Sequence, residues 1–338
     1  MDNSSRLIVD VHGAVVKHTS EGLLTHDTRR IFEIINYVFL CSAIGLFGIV
    51  ANIINIVVFY KQGLNNTVNI TLTGLAVSDL CGLIILLWFD ICVSPLFEYL
   101  NVPVAPSEFQ HLTGGWPRGC FSRVANWITV FITAERCLCI TAPLKVKKII
   151  TPRRTTIALF VMLVITILPL IPEYLTAYLD WKFSEERNRT VLGLVFTAKR
   201  SEVEGLTFLI YFIYIFVAYF PLIFLTAFLS YKLKQKTKWR MASTSDAKQS
   251  ETISSRDSKT INMVVAIAIV FIVFNAPSVI LKLTGYVLPG FGVIGVYTNY
   301  FFVTWSFAYL FESISSSVDI LFYYRMSSKY RKTFHEVF

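Results

Sequence analysis

Charged side chains embedded in apolar sequence are the residues of this chain that could do chemistry: Asp79, Arg118, Arg123, Glu135, Arg136, Glu312 and Asp319. In hydrocarbon each costs several kcal/mol unless it faces protein, water or a partner, so each needs a role. Glu312 lies about two helical turns before Asp319, close to Trp305 and Tyr309. Two readings of Arg118 and Glu312 stand open. In one, Arg118 anchors the carboxylate of a bound molecule and Glu312 its cationic group, as an Arg-containing peptide would need. In the other, Glu312 pairs with Arg118 or Arg123 as a structural salt bridge. The aromatics Trp88, Phe89, Trp116, Tyr211, Tyr214, Tyr286, Trp305 and Tyr309 would line a pocket beside these charges or anchor helices at the membrane interfaces. Catalysis finds no support, because the five His lie in outer segments or the tail and no metal-ligand spacing occurs within the apolar stretches.

Seven apolar stretches must position these groups, near 33–60, 68–94, 109–140, 155–178, 205–233, 259–287 and 294–322. A hydrocarbon core needs about 20 mostly apolar residues to be crossed as a helix, and each stretch is long enough. A mean hydropathy of +0.59 with 16% charged residues is too apolar for a soluble domain so rich in Phe and Tyr. The expected fold is therefore all-α: a polar tail over 1–32, one seven-helix membrane domain over 33–323, and a short amphipathic eighth helix within 324–338. In that last segment Tyr330 and Phe334 stand at i,i+4 beside Lys329, Arg331 and Lys332, the pattern of a helix lying on a membrane surface. Residues 1–30 hold no apolar core like that of a cleavable signal peptide, so the first span is expected to direct insertion. Pro169, Pro172, Pro221 and Pro277 fall inside spans and should kink them unless neighbours compensate. Residues 241–258, rich in Ser, Thr, Asp and Lys, are expected to be mobile.

Basic residues crowd one set of connections: Lys61, then Lys145 to Arg154, then Lys232 to Lys259, then Arg325 to Lys332. The other set mixes them with acids such as Glu98, Glu108, Asp180, Glu185 and Glu186. Lys and Arg in short loops prefer the cytoplasm, so the N-terminus is expected outside and the tail inside. The net charge of +9 would then face anionic lipid and a protein partner, and nothing marks nucleic-acid binding. Glycosylation sequons at Asn3 and Asn188 fall on the expected outside, while those at Asn65 and Asn69 fall inside or in the membrane and read as chance matches. The six cysteines, Cys41, Cys81, Cys92, Cys120, Cys137 and Cys139, sit in or beside spans, and the outer loop near 179–204 has none. A loop-to-helix disulfide is thereby excluded, leaving six small buried apolar residues.

In order and spacing, the motifs resemble those of the rhodopsin-like (class A) G-protein-coupled receptors over nearly all of 33–338. Ala51-Asn52 looks like the first span's small residue and Asn, and Leu75-Ala76-Val77-Ser78-Asp79 matches Leu-Ala-x-x-Asp in the second. Glu135-Arg136-Cys137 stands for Asp/Glu-Arg-Tyr, with Pro143-Leu144 at the expected offset. Pro221 fits the fifth span, Phe271 and Pro277 the sixth, and Asp319-Ile320-Leu321-Phe322-Tyr323 stands where Asn-Pro-x-x-Tyr would be. Departures are clear too. The cysteine expected near His111 is absent, Asn275 replaces a common Trp, Leu229 a common Tyr, and Ile320 the seventh-span proline. These look like divergent invertebrate receptors similar to FMRFamide-type peptide and chemosensory receptors.

The resemblance implies a plasma-membrane receptor that binds an extracellular ligand, a short neuropeptide or small chemosensory cue, and activates a heterotrimeric G protein. It places Glu135, Arg136, Pro143, Pro221, Phe271, Pro277 and Tyr323 in the coupling switch. It sets Asp79 against Asp319 midway across the bundle beside Asn52, Ser315 and Ser316, an all-oxygen group suited to sodium. Two carboxylates held close cannot both be charged without a counterion, so a shared proton or water network is the alternative. Arg118 falls where amine receptors carry an acid, which disfavours an aminergic ligand. No other cofactor is expected. A retinal pigment would need a Lys in the last span, and 294–322 has none. A seven-helix transporter or channel would show charges along one pathway or an internal repeat, and neither occurs.

Overall fold

Four helix starts coincide with side chains that accept a free backbone amide of the first turn. Thr25 Oγ1 accepts from Thr28 N at 3.2 Å, Asn66 Oδ1 from Val68 N at 3.0 Å, and Thr151 Oγ1 from Arg154 N at 3.4 Å. Helix α1 (His26–Lys61) therefore begins before the expected residue 33, because Thr25 supplies the cap and Asp27 lies in the favourable first turn. In the computed structural model of the protein, the described residues are 24–95, 97, 100, 102–184, 188–242, 248–292 and 295–338, together with two short paired strands, β1 (Ile8–Val9) and β2 (Val15–Val16). Asn3, Glu98, Glu185 and Glu186 lie outside the described residues.

The remaining long helices are α2 (Thr67–Val93), α3 (Glu108–Thr141), α4 (Pro152–Thr176), α5 (Arg200–Ala242), α6 (Lys248–Val287) and α7 (Thr298–Ser317). Among the described residues, six helices, α1 to α6, are long and apolar enough to cross a membrane. The last, α7, carries buried Glu312 and a run of inward serines, Ser306, Ser313, Ser315 and Ser317, and completes the bundle. Chain turns in this helix have a visible cause: Ser313 donates back to Tyr309 O and Leu310 O, and Ser317 to Ser313 O, bonds that bend a helix. The helix breaks at Val318 and resumes as Asp319–Met326, so the seventh span bends although Ile320 has replaced the proline. Proline acts in α4, which is interrupted after Ile167 and resumes at Leu170 beyond Pro169. By contrast α5 and α6 run through Pro221 and Pro277.

Residues 241–258, expected to be mobile, are in part helical: α5 reaches Ala242 and α6 starts at Lys248. Lys, Gln, Glu and Arg propagate a helix well once the apolar part has nucleated it. At the other end of the bundle the expected all-α chain carries a hairpin, β3 (Ala177–Ser184) and β4 (Arg189–Phe196), paired antiparallel from Ala177↔Phe196 to Ser184↔Arg189. Asn188 forms its turn at φ 45°, a left-handed conformation that Asn tolerates well.

The core runs through the bundle, with Val58, Leu72, Ile128 and Met263 packed around Tyr323 and Tyr330. At Gly48, an added Cβ would meet Leu83 Cδ1 at 2.6 Å and collide with Ser317 Oγ, so glycine is what lets α1, α2 and α7 close on one another. Outward-facing apolar side chains such as Phe39, Phe160 and Phe224 are more than half exposed, as lipid-facing residues are. Helix α8 (Ser328–Val337) is capped by Ser327 and docks on α1 through Tyr330 Oη, which donates to Asn55 Oδ1 at 2.6 Å. Burial raises the Tyr330 pKa, which keeps the hydroxyl protonated for that bond.

Candidate functional site

Cavities open at both ends of the bundle, and the embedded charges lie in or between them. At the α8 end, a cavity of about 530 Å³ is walled by α1, α2, α3, α6, the helix Asp319–Met326 and α8 and holds Glu135, Arg136, Thr67, Lys259 and Tyr323. Arg136 Nη2 pairs with Glu135 Oε1 at 2.9 Å, and Thr67 Oγ1 donates to the same oxygen at 2.5 Å. The arginine's Nε has no hydrogen-bond partner, so the pair leaves it donors to offer elsewhere. Pro143 opens the short helix Pro143–Ile149 beside this end, where Leu144 is 83% exposed.

Midway, Asp79 and Ser316 line a cavity of about 30 Å³ together with Phe271, Asn275, Arg118 and Glu312. That volume holds roughly one water-sized particle. Asn52 Nδ2 donates to Gly48 O and Ser316 O, leaving its buried Oδ1 without a donor, an oxygen suited to a cation or to water. Asp319 and Ser315 do not line this cavity. Asp319 Oδ2 accepts from Tyr323 Oη at 3.4 Å, and Ser315 Oγ from Asn275 Nδ2 at 3.4 Å. Asp79 accepts from Ser316 and interacts with Asp319, so α2 and the seventh span bring these two acids together, while Ser315 is turned to Asn275. Among the described residues, no cluster of His, Cys, Asp and Glu could hold a metal ion. Pro221 and Pro277 flank a cross-link at the same level, where Tyr219 Oη donates to Ile272 O at 2.5 Å and ties α5 to α6.

At the hairpin end, a cavity of about 280 Å³ contains Arg118, Arg123, Lys282, Glu312, Tyr211, Tyr286, Trp305 and Tyr309. Arg118 Nη2 bonds Glu312 Oε2 at 2.7 Å with both side chains about nine-tenths buried, and Ser278 Oγ donates to Glu312 Oε1. The two carboxylate oxygens of Glu312 are therefore satisfied within the protein. Arg123 makes no ion pair among the described residues. It lies over the Tyr211 ring at 3.4 Å, and its Nη1 has no hydrogen-bond partner. Lys282, near the outer end of α6, lies 5.8 Å over Trp305 and makes no ion pair among the described residues.

The sequence matches the family model described as serpentine type 7TM GPCR chemoreceptor Srw over residues 37–338. The chain belongs to this family. No curated protein matches it. It is a G-protein-coupled receptor that senses extracellular chemical cues, a multi-pass membrane protein of a family whose members are generally receptors and not enzymes.

Seven of the ten residues expected to line the receptor's ligand pocket meet in the 280 Å³ cavity: Arg118, Glu312, Trp116, Tyr211, Tyr286, Trp305 and Tyr309. Trp88, Phe89 and Tyr214 do not, and Phe89 packs edge-on against Tyr37 and Tyr309. Trp88 Nε1 donates to Thr113 Oγ1 at the outer edge of α2 and α3, and Tyr214 Oη donates to Ile165 O on α4, each drawn to the nearest free acceptor rather than inward. Sequence reasoning missed the part played by Arg123 and Lys282 together, although both were visible as charges within spans. It also missed Asp90, a buried acid that accepts from Ser42 Oγ at 3.1 Å and has a second oxygen, Oδ1, with no partner.

Proposed function

We propose that the receptor sits in the plasma membrane with its hairpin end and N-terminus outside, takes a small chemical cue into the 280 Å³ cavity, and couples to a heterotrimeric G protein through the 530 Å³ cavity at the α8 end. One arrangement carries this reading: a series of inward polar groups on α2, α3, α6 and the seventh span runs from Arg118 and Glu312 through Asn275 and Asp79 to Asp319 and Tyr323, between the two cavities. A cue that binds one arrangement of α6 and α7 better than the other shifts the population between them. The size of the outer cavity, at the low end of small-molecule sites, supports a small cue over a peptide held along its whole length. Exposed at the hairpin turn, Asn188 is a glycan acceptor in this topology, and Asp79 with Ser316 and Asn52 is the place for a sodium ion that favours the resting state.

The experiment is stimulated nucleotide exchange on a purified heterotrimer by the reconstituted receptor, screened against small organic cues. Arg136→Ala should abolish exchange and leave cue binding and surface expression intact, since Glu135 keeps its bond from Thr67. Exchange by the variant equal to that of the unmodified receptor would refute the coupling role.

A further inference from the structure

The hairpin-end cavity holds three cations, Arg118, Arg123 and Lys282, against a single acid, Glu312. Glu312 is already occupied by Arg118 and Ser278. The neighbouring acids offer no relief: Asp90 bonds Ser42 and does not line the cavity, and Glu173 on α4 is paired with Arg200. Arg123 and Lys282 share this cavity and also the 30 Å³ space below it, where Lys282 is attracted by Glu312 and repelled by Arg123 and Arg118. Trp305 adds a further donor, because its buried indole Nε1 has no hydrogen-bond partner. The surplus is therefore of donors and of positive charge. In place of counterions the cations rest on ring faces, Arg123 on Tyr211 and Lys282 on Trp305, which compensates part of the cost. Gly119 permits the first of these contacts, since a Cβ there would come within 3.1 Å of the Arg123 guanidinium.

We propose that the cue is a small organic anion whose carboxylate or equivalent oxyanion docks between Arg123 and Lys282, with its apolar part against Trp305, Tyr286 and Phe212. This rests on the cavity being the cue site. It differs from a site built on Arg118 and Glu312, which satisfy each other and serve as its floor. An oxyanion supplies acceptors to the unpartnered donors, and its charge relieves the repulsion that the ligand-free receptor carries.

The test uses the full-length receptor in lipid nanodiscs and follows thermal unfolding with a series of carboxylates and sulfonates, including phenylacetate, and with phenylacetamide and 2-phenylethylamine as uncharged and cationic counterparts. At least one anion should raise the melting temperature while its amide and amine counterparts leave it unchanged. Lys282→Met should raise the melting temperature of the ligand-free receptor and weaken anion binding tenfold or more. Arg123→Gln should likewise weaken anion binding tenfold or more, with Arg123→Lys retaining part of it. The proposal is overturned if no anion in the series shifts the melt at millimolar concentration, if the amine does so as well as the carboxylate, or if Lys282→Met destabilises the ligand-free receptor. Because this readout needs no G protein, loss of nucleotide exchange with anion binding intact would count against the coupling reading and leave the anion site standing.

Discussion

Glu312 and Arg118 are not equal partners, and the asymmetry can be measured. Glu312→Gln leaves Arg118, Arg123 and Lys282 in one cavity with no acid. Removing one member of a buried pair typically costs about 3–5 kcal/mol, and here the two extra cations add to the uncompensated charge. Arg118→Gln has a milder outcome, because Glu312 keeps the Ser278 hydroxyl and shares the cavity with Lys282, a ready replacement cation. Its loss is nearer that of one hydrogen bond to a charged group, about 1.5–3 kcal/mol. At about 2 °C per kcal/mol, the low end of the range for large chains, Glu312→Gln should lower the melting temperature by roughly 6–10 °C and Arg118→Gln by roughly 3–6 °C. The double variant removes the pair and one cation, leaving Arg123 and Lys282 unopposed, and should fall between the singles. Thermal unfolding of the purified, ligand-free receptor reads all three, with surface expression as a parallel measure. An isolated ion pair gives another pattern: equal losses in the singles and recovery in the double. Observing that pattern would refute the argument that Arg123 and Lys282 belong to the same electrostatic unit.

Gly48→Ala should destabilise the receptor by about 1–3 kcal/mol in a thermal melt, since the new methyl meets Leu83 and Ser317 at the junction of α1, α2 and α7. Tyr330→Phe removes the donor to Asn55 Oδ1, whose neighbouring Nδ2 is already unpartnered, so amide hydrogen exchange in α8 should speed up while the melt of the bundle changes little. Sodium should lower agonist affinity, and Asp79→Asn should remove that dependence. Equal affinity in sodium and in a bulky organic cation, in the unmodified receptor, would contradict the ion site.

Helix existence and type were legible because apolar length decides them, whereas ends and bends were set by short-range hydrogen bonds that hydropathy does not register. Thr25 and the serines of α7 illustrate this: a cap moves the first helix start, and back-bonding bends the seventh span where proline was missing. The hairpin was hidden because residues 177–196 alternate weakly and lie between two strong helical signals. In the cavity, sequence exposed each cation separately but not which one held Glu312, a choice fixed by the rotation of α3. Arg118 and Arg123 are five residues apart in the sequence, so they point in different directions from the same helix, one at Glu312 and one at Tyr211. Trp88 and Tyr214 were drawn into the pocket by residue type alone, and type does not tell an inward ring from one at the bundle's edge.

The hairpin shows how the receptor positions its outer end without a disulfide. None of the six cysteines is joined to another, and the π-helical turn His111–Gly115 occupies the place where a cysteine of α3 would stand. Polar bonds bind the same elements there. Lys182 of β3 pairs with Glu108 of α3 at 2.7 Å, and the same carboxylate oxygen accepts from Leu194 N of β4 at 2.7 Å. Leu192 N donates to Pro103 O and Ala105 N to Leu192 O, so the segment before α3 joins the edge of the hairpin. From α4, Tyr174 Oη reaches Leu112 O in the π-helical turn, and Glu173 is buried against Arg200 at the start of α5. Each contact is worth far less than a covalent link, about 0.5–1.5 kcal/mol for a neutral bond, yet they span β3, β4, α3, α4 and α5. Such a strap can loosen one contact at a time, which a disulfide cannot. The strap reaches the turn His111–Gly115, whose two end residues line the cavity, so loosening it would reshape that wall.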